Sequence, residues 1–559
     1  MSSTCTPPRY SRTQPSCAKY LSIRLTTSRA ESRFTYLNGF LRNVSRFGDR
    51  PAVFDPHSDR RWTYRELNCE VNRLAHALRA DGVGKNDVVM FALLNSPEFV
   101  FFYLAAHKIG AIACPVNYRQ GSGEIALVID DSTPKVFVYD AEFGELSSRA
   151  LEMCENRPAV ELVVGAEEDA VLPAGYRRYE DYVFEQPETD PPIDFAPHIY
   201  DETTRLYTSG TTNRPKGVPI NNINEVLSAH DVMMHFPLSP VDRTMNMTPW
   251  FHRGGIHSGG PCPTLYAGGE VVILRDFAPR TCLEYAEKYA ISFLIGVPTI
   301  IAMLARTQER SPADLSALHG IVTMGAPFEK SACEKYMKLL TPNIFNGYGT
   351  TETFWNTFLR PFDLPDNAGS AGRSCTDDEV RLVALRPNGE RSEPDETVPR
   401  DSETPGEIII SSPAKSAFCY FNNEEMTEKK FYKGWLYTGD VGTWDENEFV
   451  TVSGRRDDMI VSAGENIYPA QIEAVLNEHP KVAESAVIGI PDKLRGEVVA
   501  AYVVAKEPSL TVEELKDYCT HSPMLSSYKW PRAYHIVDEL PHTATGKLMH
   551  YKLRSYAKD

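Results

Sequence analysis

From about residue 60 onward, apolar positions fall into two alternating rhythms. Leu67, Val71, Leu74 and Leu78 recur three and four residues apart, which predicts a helix with Gly82 as its C-terminal cap. Val88 to Leu94 is then an unbroken apolar run, the pattern of a strand buried on both faces. The alternation returns with a strand over Val271 to Leu274, a helix over 280–289 and a strand over Phe293 to Val297. A further strand over Ile321 to Met324 ends at Gly325. Helices and apolar strands in turn predict an α/β fold of layered subdomains with mostly parallel sheets.

The pattern changes after Gly406. Glu407 to Ser411 reads as a strand, and Asp440 to Val452 alternates polar and apolar residues around turns, a β-rich subdomain. Gly454-Arg455-Arg456-Asp457-Asp458 is short and charged. Beyond it, Pro469 opens a helix with Ile472, Val475 and Leu476 on one face, and strands are expected over Ser485–Ile490 and Val498–Val504. The chain is therefore divided into an N-terminal extension (1–30), a large domain (31–453), a hinge (454–458) and a small α+β domain (459–559). The stretch 386–405, rich in Pro, Glu, Asp and Ser, reads as an exposed loop.

Composition narrows the function classes. The 559 residues are too many for one compact core, and 42% hydrophobic content is that of an ordinary globular protein. No apolar run approaches the ~18 residues of a membrane span. A net charge of −17 argues against nucleic acid or anionic membranes as partners. The 11 cysteines are scattered with no C-x-x-C pair, which argues against a disulfide framework or a zinc site. Cys114, Cys262 and Cys282 sit in apolar surroundings and read as core. Residues 1–30 hold five Lys/Arg, eleven Ser/Thr and no acidic residue. That is the composition of a disordered start or of an organellar transit peptide. A cytoplasmic protein is expected on the first reading, a mitochondrial or other organellar one on the second. Homo-oligomers remain open.

Against this acidic background one segment concentrates hydroxyls, glycines and two cations: Thr208-Ser209-Gly210-Thr211-Thr212-Asn213-Arg214-Pro215-Lys216-Gly217. The apolar Leu206-Tyr207 ahead of it implies a strand feeding a loop that can hold a polyphosphate. It is not a Walker A loop, because Pro215 and Gly217 stand where that motif needs Gly and a metal-binding hydroxyl. Asn346-Gly347-Tyr348-Gly349-Thr350-Thr351-Glu352 combines glycines open to a ligand, a flat ring, a hydroxyl and a carboxylate suited to Mg²⁺. Tyr437-Thr438-Gly439-Asp440 and Pro541-His542-Thr543-Ala544-Thr545-Gly546-Lys547 complete a series that resembles the adenylate-forming superfamily over roughly residues 40–555. That superfamily includes acyl-CoA synthetases, adenylation domains of peptide synthetases and beetle luciferases. Asn213 departs from it, standing where Gly is usual; Asn tolerates a left-handed backbone.

The resemblance implies ATP, Mg²⁺ and coenzyme A as co-substrates and cofactor, and assigns roles. Thr208, Ser209, Gly210, Thr211, Thr212 and Lys216 would hold phosphates. Gly325-Ala326-Pro327, Asn346, Gly347, Tyr348 and Gly349 would hold the adenine and ribose side of the nucleotide, Thr351 would add a hydroxyl for a phosphate, Asp440 would hold the ribose, and Arg455 the ribose or phosphate. Glu352 would carry the metal, Lys547 would be catalytic, Asp457 the hinge, and Gly464 and Glu465 the CoA-side loop. Pro249-Trp250-Phe251-His252-Arg253-Gly254-Gly255 resembles the acyl-site segment, with His252 at the family's His, which the resemblance makes a catalytic as well as an acyl-pocket residue. Gly254 and Gly255 suggest room for a ring or a medium chain. Arg253 would either face a second carboxylate of the substrate or point outward. Only twelve residues follow Lys547, so a free thiol such as coenzyme A is the expected acceptor of a small carboxylic acid. A separate carrier protein, a luciferase-like oxidation and a non-catalytic nucleotide-binding relative are the alternatives.

Overall fold

A computed structural model describes residues 31–167, 175–208, 215–325, 328–386, 390–462, 465–492, 495–522, 525, 527–542 and 548–556. The predicted first helix runs Tyr64–Ala80, and its buried face includes Leu67, Val71, Leu74 and Leu78. Thr63 and Glu66 close its N-terminus as a capping box. Gly82 follows at φ +76°, a left-handed position that favours glycine. The strand after it, Val88–Ala92, is buried throughout and lies parallel to both neighbours. Nothing but side-by-side apolar faces surrounds it, which is why its sequence does not alternate.

That strand belongs to a seven-stranded sheet whose parallel strands end in an antiparallel hairpin, Glu202–Thr208 with Lys216–Asn221. A nine-stranded sheet stands beside it. Its middle strands, Ile344–Thr350, Gly320–Met324, Phe293–Gly296, Arg243–Asn246, Glu270–Val272 and Pro51–Asp55, are all parallel. Antiparallel strands close both of its edges. The third sheet is antiparallel and built from Glu379–Ala384, Gly406–Ser411, Trp435–Trp444, Phe431–Tyr432 and Val450–Arg455. The layered α/β fold with a β-rich part is the expected one.

Residues 460–537 form a fourth sheet, led by the long hairpin Val482–Asp492 with Gly496–Ala505. Helix Pro469–Asn477 packs Ile472, Val475 and Leu476 into that sheet's own core, as its spacing predicts. No helix among the described residues is long and apolar enough to cross a membrane. Cys114, Cys262 and Cys282 are fully buried.

The described residues of the stretch 386–405 form a loop that is exposed or partly exposed as expected, pinned at two buried positions, Ser392 and Val398. Thr397 bridges back to Val383. Trp444 donates its indole N–H to Val398 O and Pro399 O, and Tyr437 donates its hydroxyl to Ser392 O. The polar composition is real, but backbone carbonyls there serve as acceptors for two buried aromatics.

Candidate active site

In parallel α/β sheets ligands gather at the carboxyl ends of strands. Among the described motif residues, Thr208 and Gly325 stand at such ends. Thr208 ends the strand Glu202–Thr208, and Lys216, buried, begins its hairpin partner opposite it. Ser209, Gly210, Thr211 and Thr212 lie outside the described residues, as do Ala326, Pro327, Gly464 and Lys547. Gly325 follows the strand Gly320–Met324 at φ +83°, a turn that favours glycine. Asn346 to Gly349 lie within the strand Ile344–Thr350 rather than in a loop after it.

Their glycines do not open space for a ligand, contrary to the sequence reading. A Cβ on Gly347 would sit 3.0 Å from Trp355 Nε1, and one on Gly349 would sit 1.6 Å from Phe354 O. Glycine is needed there because strand Phe354–Leu359 crosses at a bulge between Tyr348 and Gly349. Gly255 is corrected in the same way. Its missing side chain is replaced by Pro249 O, 2.0 Å from the ideal Cβ, so it adds no room for an acid. Gly254 faces Met324 Sδ at 3.1 Å.

Tyr348 and Asp440 come from different sheets and meet. The Tyr348 hydroxyl donates to Asp440 Oδ2 and Arg455 Nη1 donates to Oδ1, both at 2.7 Å. Burial, then the adjacent Asp440 charge, holds the Tyr348 phenol protonated well above its usual range. Each Asp440 oxygen keeps a second acceptor direction, enough for ribose hydroxyls. Asp457 lies in the short turn Arg456–Asp458, and Glu465 opens the strand Glu465–Ile467.

A segment that the sequence reading passed over, residues 412–421, binds the parts together. Phe421 N donates to Gly217 O at 2.7 Å, and Arg205 stacks over the Phe421 ring at 3.4 Å. Tyr420 donates its hydroxyl to Glu352 Oε1, and Ala417 N donates to Glu352 O at 3.0 Å. Glu352 thus has an oriented carboxylate with a second oxygen available, which fits a hard divalent cation. Lys415 is buried against Asp231 at 2.8 Å and Asp378 at 2.7 Å, and donates to Trp355 O at 2.6 Å.

Both readings of Arg253 fall short. It neither points outward nor presents its fork to a substrate carboxylate. It is buried, and donates from Nη1 to Thr351 O at 2.5 Å and from Nη2 to Lys415 O at 3.1 Å and Ser228 Oγ at 3.3 Å. Burial draws its pKa down to about 10, so it stays charged at neutral pH.

His252 is half-buried as a residue, but its Nε2 is sealed and has no partner among the described residues. Burial, aided by the Arg119 charge, pulls its pKa down to about 3. It is therefore neutral at neutral pH. In the unfolded chain it takes its proton near the usual 6.5, so acid favours unfolding. Its contribution to stability is complete above about pH 6.5 and is lost as pH falls toward 3. Melting temperatures measured across that window should fall more steeply for the native chain than for His252→Asn. An unchanged slope would show that His252 takes up protons in the folded state.

The family model described as AMP-binding enzyme matches residues 40–421, and its C-terminal domain model matches 471–547. A feruloyl-CoA synthase from an Amycolatopsis species is 32% identical over 89% of this chain and 94% of its own length. An indoleacetate–CoA ligase from Aromatoleum aromaticum is 32% identical over 90% of this chain and 96% of its own. Among solved structures, an anthranilate CoA ligase in complex with anthranoyl-AMP is similar with a TM-score of 0.84 and 28% identity, covering 94% of this chain and 97% of that one.

Proposed function

Given that this chain belongs to the AMP-binding enzyme family, we propose that the acid it activates is an aromatic monocarboxylic acid. The protein is an ATP-dependent, AMP-forming acid–CoA ligase. A carboxylate oxygen attacks the α-phosphorus of ATP, the bond from that phosphorus to the bridging oxygen breaks, and pyrophosphate leaves. The CoA sulfur then attacks the acyl carbon and AMP departs. Little covalent work falls to the protein, so positioning and electrostatics dominate.

In this reading Lys216 and the hydroxyls of Thr208, Ser209, Thr211 and Thr212 take the β- and γ-phosphates. The Tyr348–Asp440–Arg455 group takes the nucleoside. Glu352 would hold Mg²⁺, which when bound offsets phosphate charge. His252, neutral, acts as a wall of the acid site and not as a proton source.

The observation that carries the aromatic monocarboxylate is the orientation of Arg253. Both its Nη groups are committed to two carbonyls and a hydroxyl, and only Nε lacks a partner among the described residues, so the acyl segment presents no open guanidinium fork to a second carboxylate. Gly254 faces Met324, which belongs to a buried hydrophobic cluster that includes Phe236, Phe354 and Trp355. The aromatic acids in the relatives' names support the same reading. ATP–pyrophosphate exchange over aryl monocarboxylates, dicarboxylates and straight-chain acids tests it, followed by CoA addition to the active mixtures. The aryl monocarboxylates should react fastest. A dicarboxylate or a straight-chain acid at the head of the panel would overturn it.

A further inference from the structure

We propose that Arg253 is a positioning residue that fixes the direction of the Glu352 carboxylate, and so ties the acyl-site segment to the metal site. The inference rests on the metal role proposed for Glu352.

The geometry is that of a three-way brace. Arg253 begins the helix Arg253–His257, directly after the acyl-site loop. Its planar fork reaches three other parts of the fold. These are Thr351 O ahead of Glu352, Lys415 O in the 412–421 segment, and Ser228 Oγ on the long helix Asn222–His235. Only a guanidinium presents several donors in fixed divergent directions. Thr351 O belongs to the rigid peptide plane that ends at Glu352 N. Holding that oxygen therefore sets the plane on one side of the Glu352 Cα. Ala417 N sets the plane on the other side through Glu352 O. Two fixed planes leave the Glu352 Cα–Cβ direction no freedom, and Tyr420 then orients the carboxylate.

The loop needs such a brace. Phe354, two residues on, sits at φ +61°, a backbone region costly for a bulky side chain. The Arg253 guanidinium lies over its ring at 5.6 Å. The same cation thus meets the carbonyl before Glu352 and the strained residue after it. An arginine that merely filled the core would not be expected to use its fork on a peptide plane adjoining this carboxylate.

The test is binding of ATP by titration calorimetry, once with Mg²⁺ and once with EDTA. In the native chain Mg²⁺ should tighten ATP binding. In Arg253→Met that gain should shrink roughly 10- to 100-fold, the scale of lost hydrogen bonds to a charged group. Metal-free ATP affinity should hold, and so should the KM for the acid. Should Arg253→Met not fold, Arg253→Lys keeps the charge but not the fork, and should show the same loss in milder form. Equal weakening with and without metal, or a raised acid KM alone, would overturn the inference. Glu352→Gln separates the two failures. If it keeps the full Mg²⁺ gain, the metal role of Glu352 falls and this inference with it. If it loses the gain while Arg253→Met keeps it, only the Arg253 inference falls.

Discussion

Replacing Lys547 by alanine should abolish adenylate formation yet leave thioester formation from a supplied acyl-adenylate intact. The expected loss in the first half-reaction is ~10²–10³ in rate, or ~3–4 kcal/mol, as for removal of one preorganised donor facing developing charge. The residue falls outside those described, but the ends of its segment do not. His542 and Leu548 pair as an antiparallel bridge, and Met549 N donates to Pro541 O at 2.8 Å. His542 is further tied to Glu484 at 2.6 Å, on the long hairpin of the C-terminal sheet. The two described ends of the segment are thus tied to each other and, through His542, to that sheet. In the proposed mechanism Lys547 would assist the first step only with the small domain closed over the nucleotide, and would be withdrawn as the domain turned for the second. Pyrophosphate exchange reads the first step, and CoA consumption from synthetic acyl-AMP reads the second. Equal loss in both would rule out a half-reaction-specific role.

Lys415→Met should be the most destabilising single change in the large domain's polar interior. Lys415, Asp231 and Asp378 all have side chains exposed by 2% or less. Burial opposes the lysine's charge, but the Asp231 and Asp378 carboxylates hold its pKa above the usual range. Removing the cation leaves Asp378 buried with no counter-charge and Asp231 with only the neighbouring His235, a loss of about 3–5 kcal/mol. The melting temperature should drop by several degrees. The deficit should narrow as pH falls from neutral toward 5, because a protonated carboxyl needs no cation. A deficit independent of pH would mean that lost packing of the aliphatic stem, and not stranded charge, causes the damage.

Much of the fold was legible because fully buried strands and amphipathic helices announce themselves. Val88–Ala92 and Pro469–Asn477 lie close to where periodicity puts them. The site was legible only as a set of motif residues. What holds them was not, and the helix Asn222–His235 shows why. Glu225, Ser228, Asp231 and His235 recur three and four residues apart, which on a surface helix would be the solvated face. Here that stripe is buried. Glu225 accepts from His257 at 2.6 Å and Tyr103 at 2.9 Å, Ser228 meets Arg253, and Asp231 meets Lys415. Polar spacing says that a face is polar, not whether water or protein satisfies it. The His257–Glu225 contact is a hydrogen bond at 2.6 Å, with Cys262 close to both. Tyr420 was missed for a related reason: its partner Glu352 lies 68 residues away in sequence.

The 412–421 segment has a practical consequence for recombining relatives. Ten consecutive residues reach the phosphate hairpin, the carboxylate proposed for the metal and the deepest lysine, so adding or deleting one would throw all three out of alignment together. Crossover points for chimeric ligases belong upstream of Ser411 or downstream of Phe421, and a protease nick between them should silence the enzyme without unfolding its sheets.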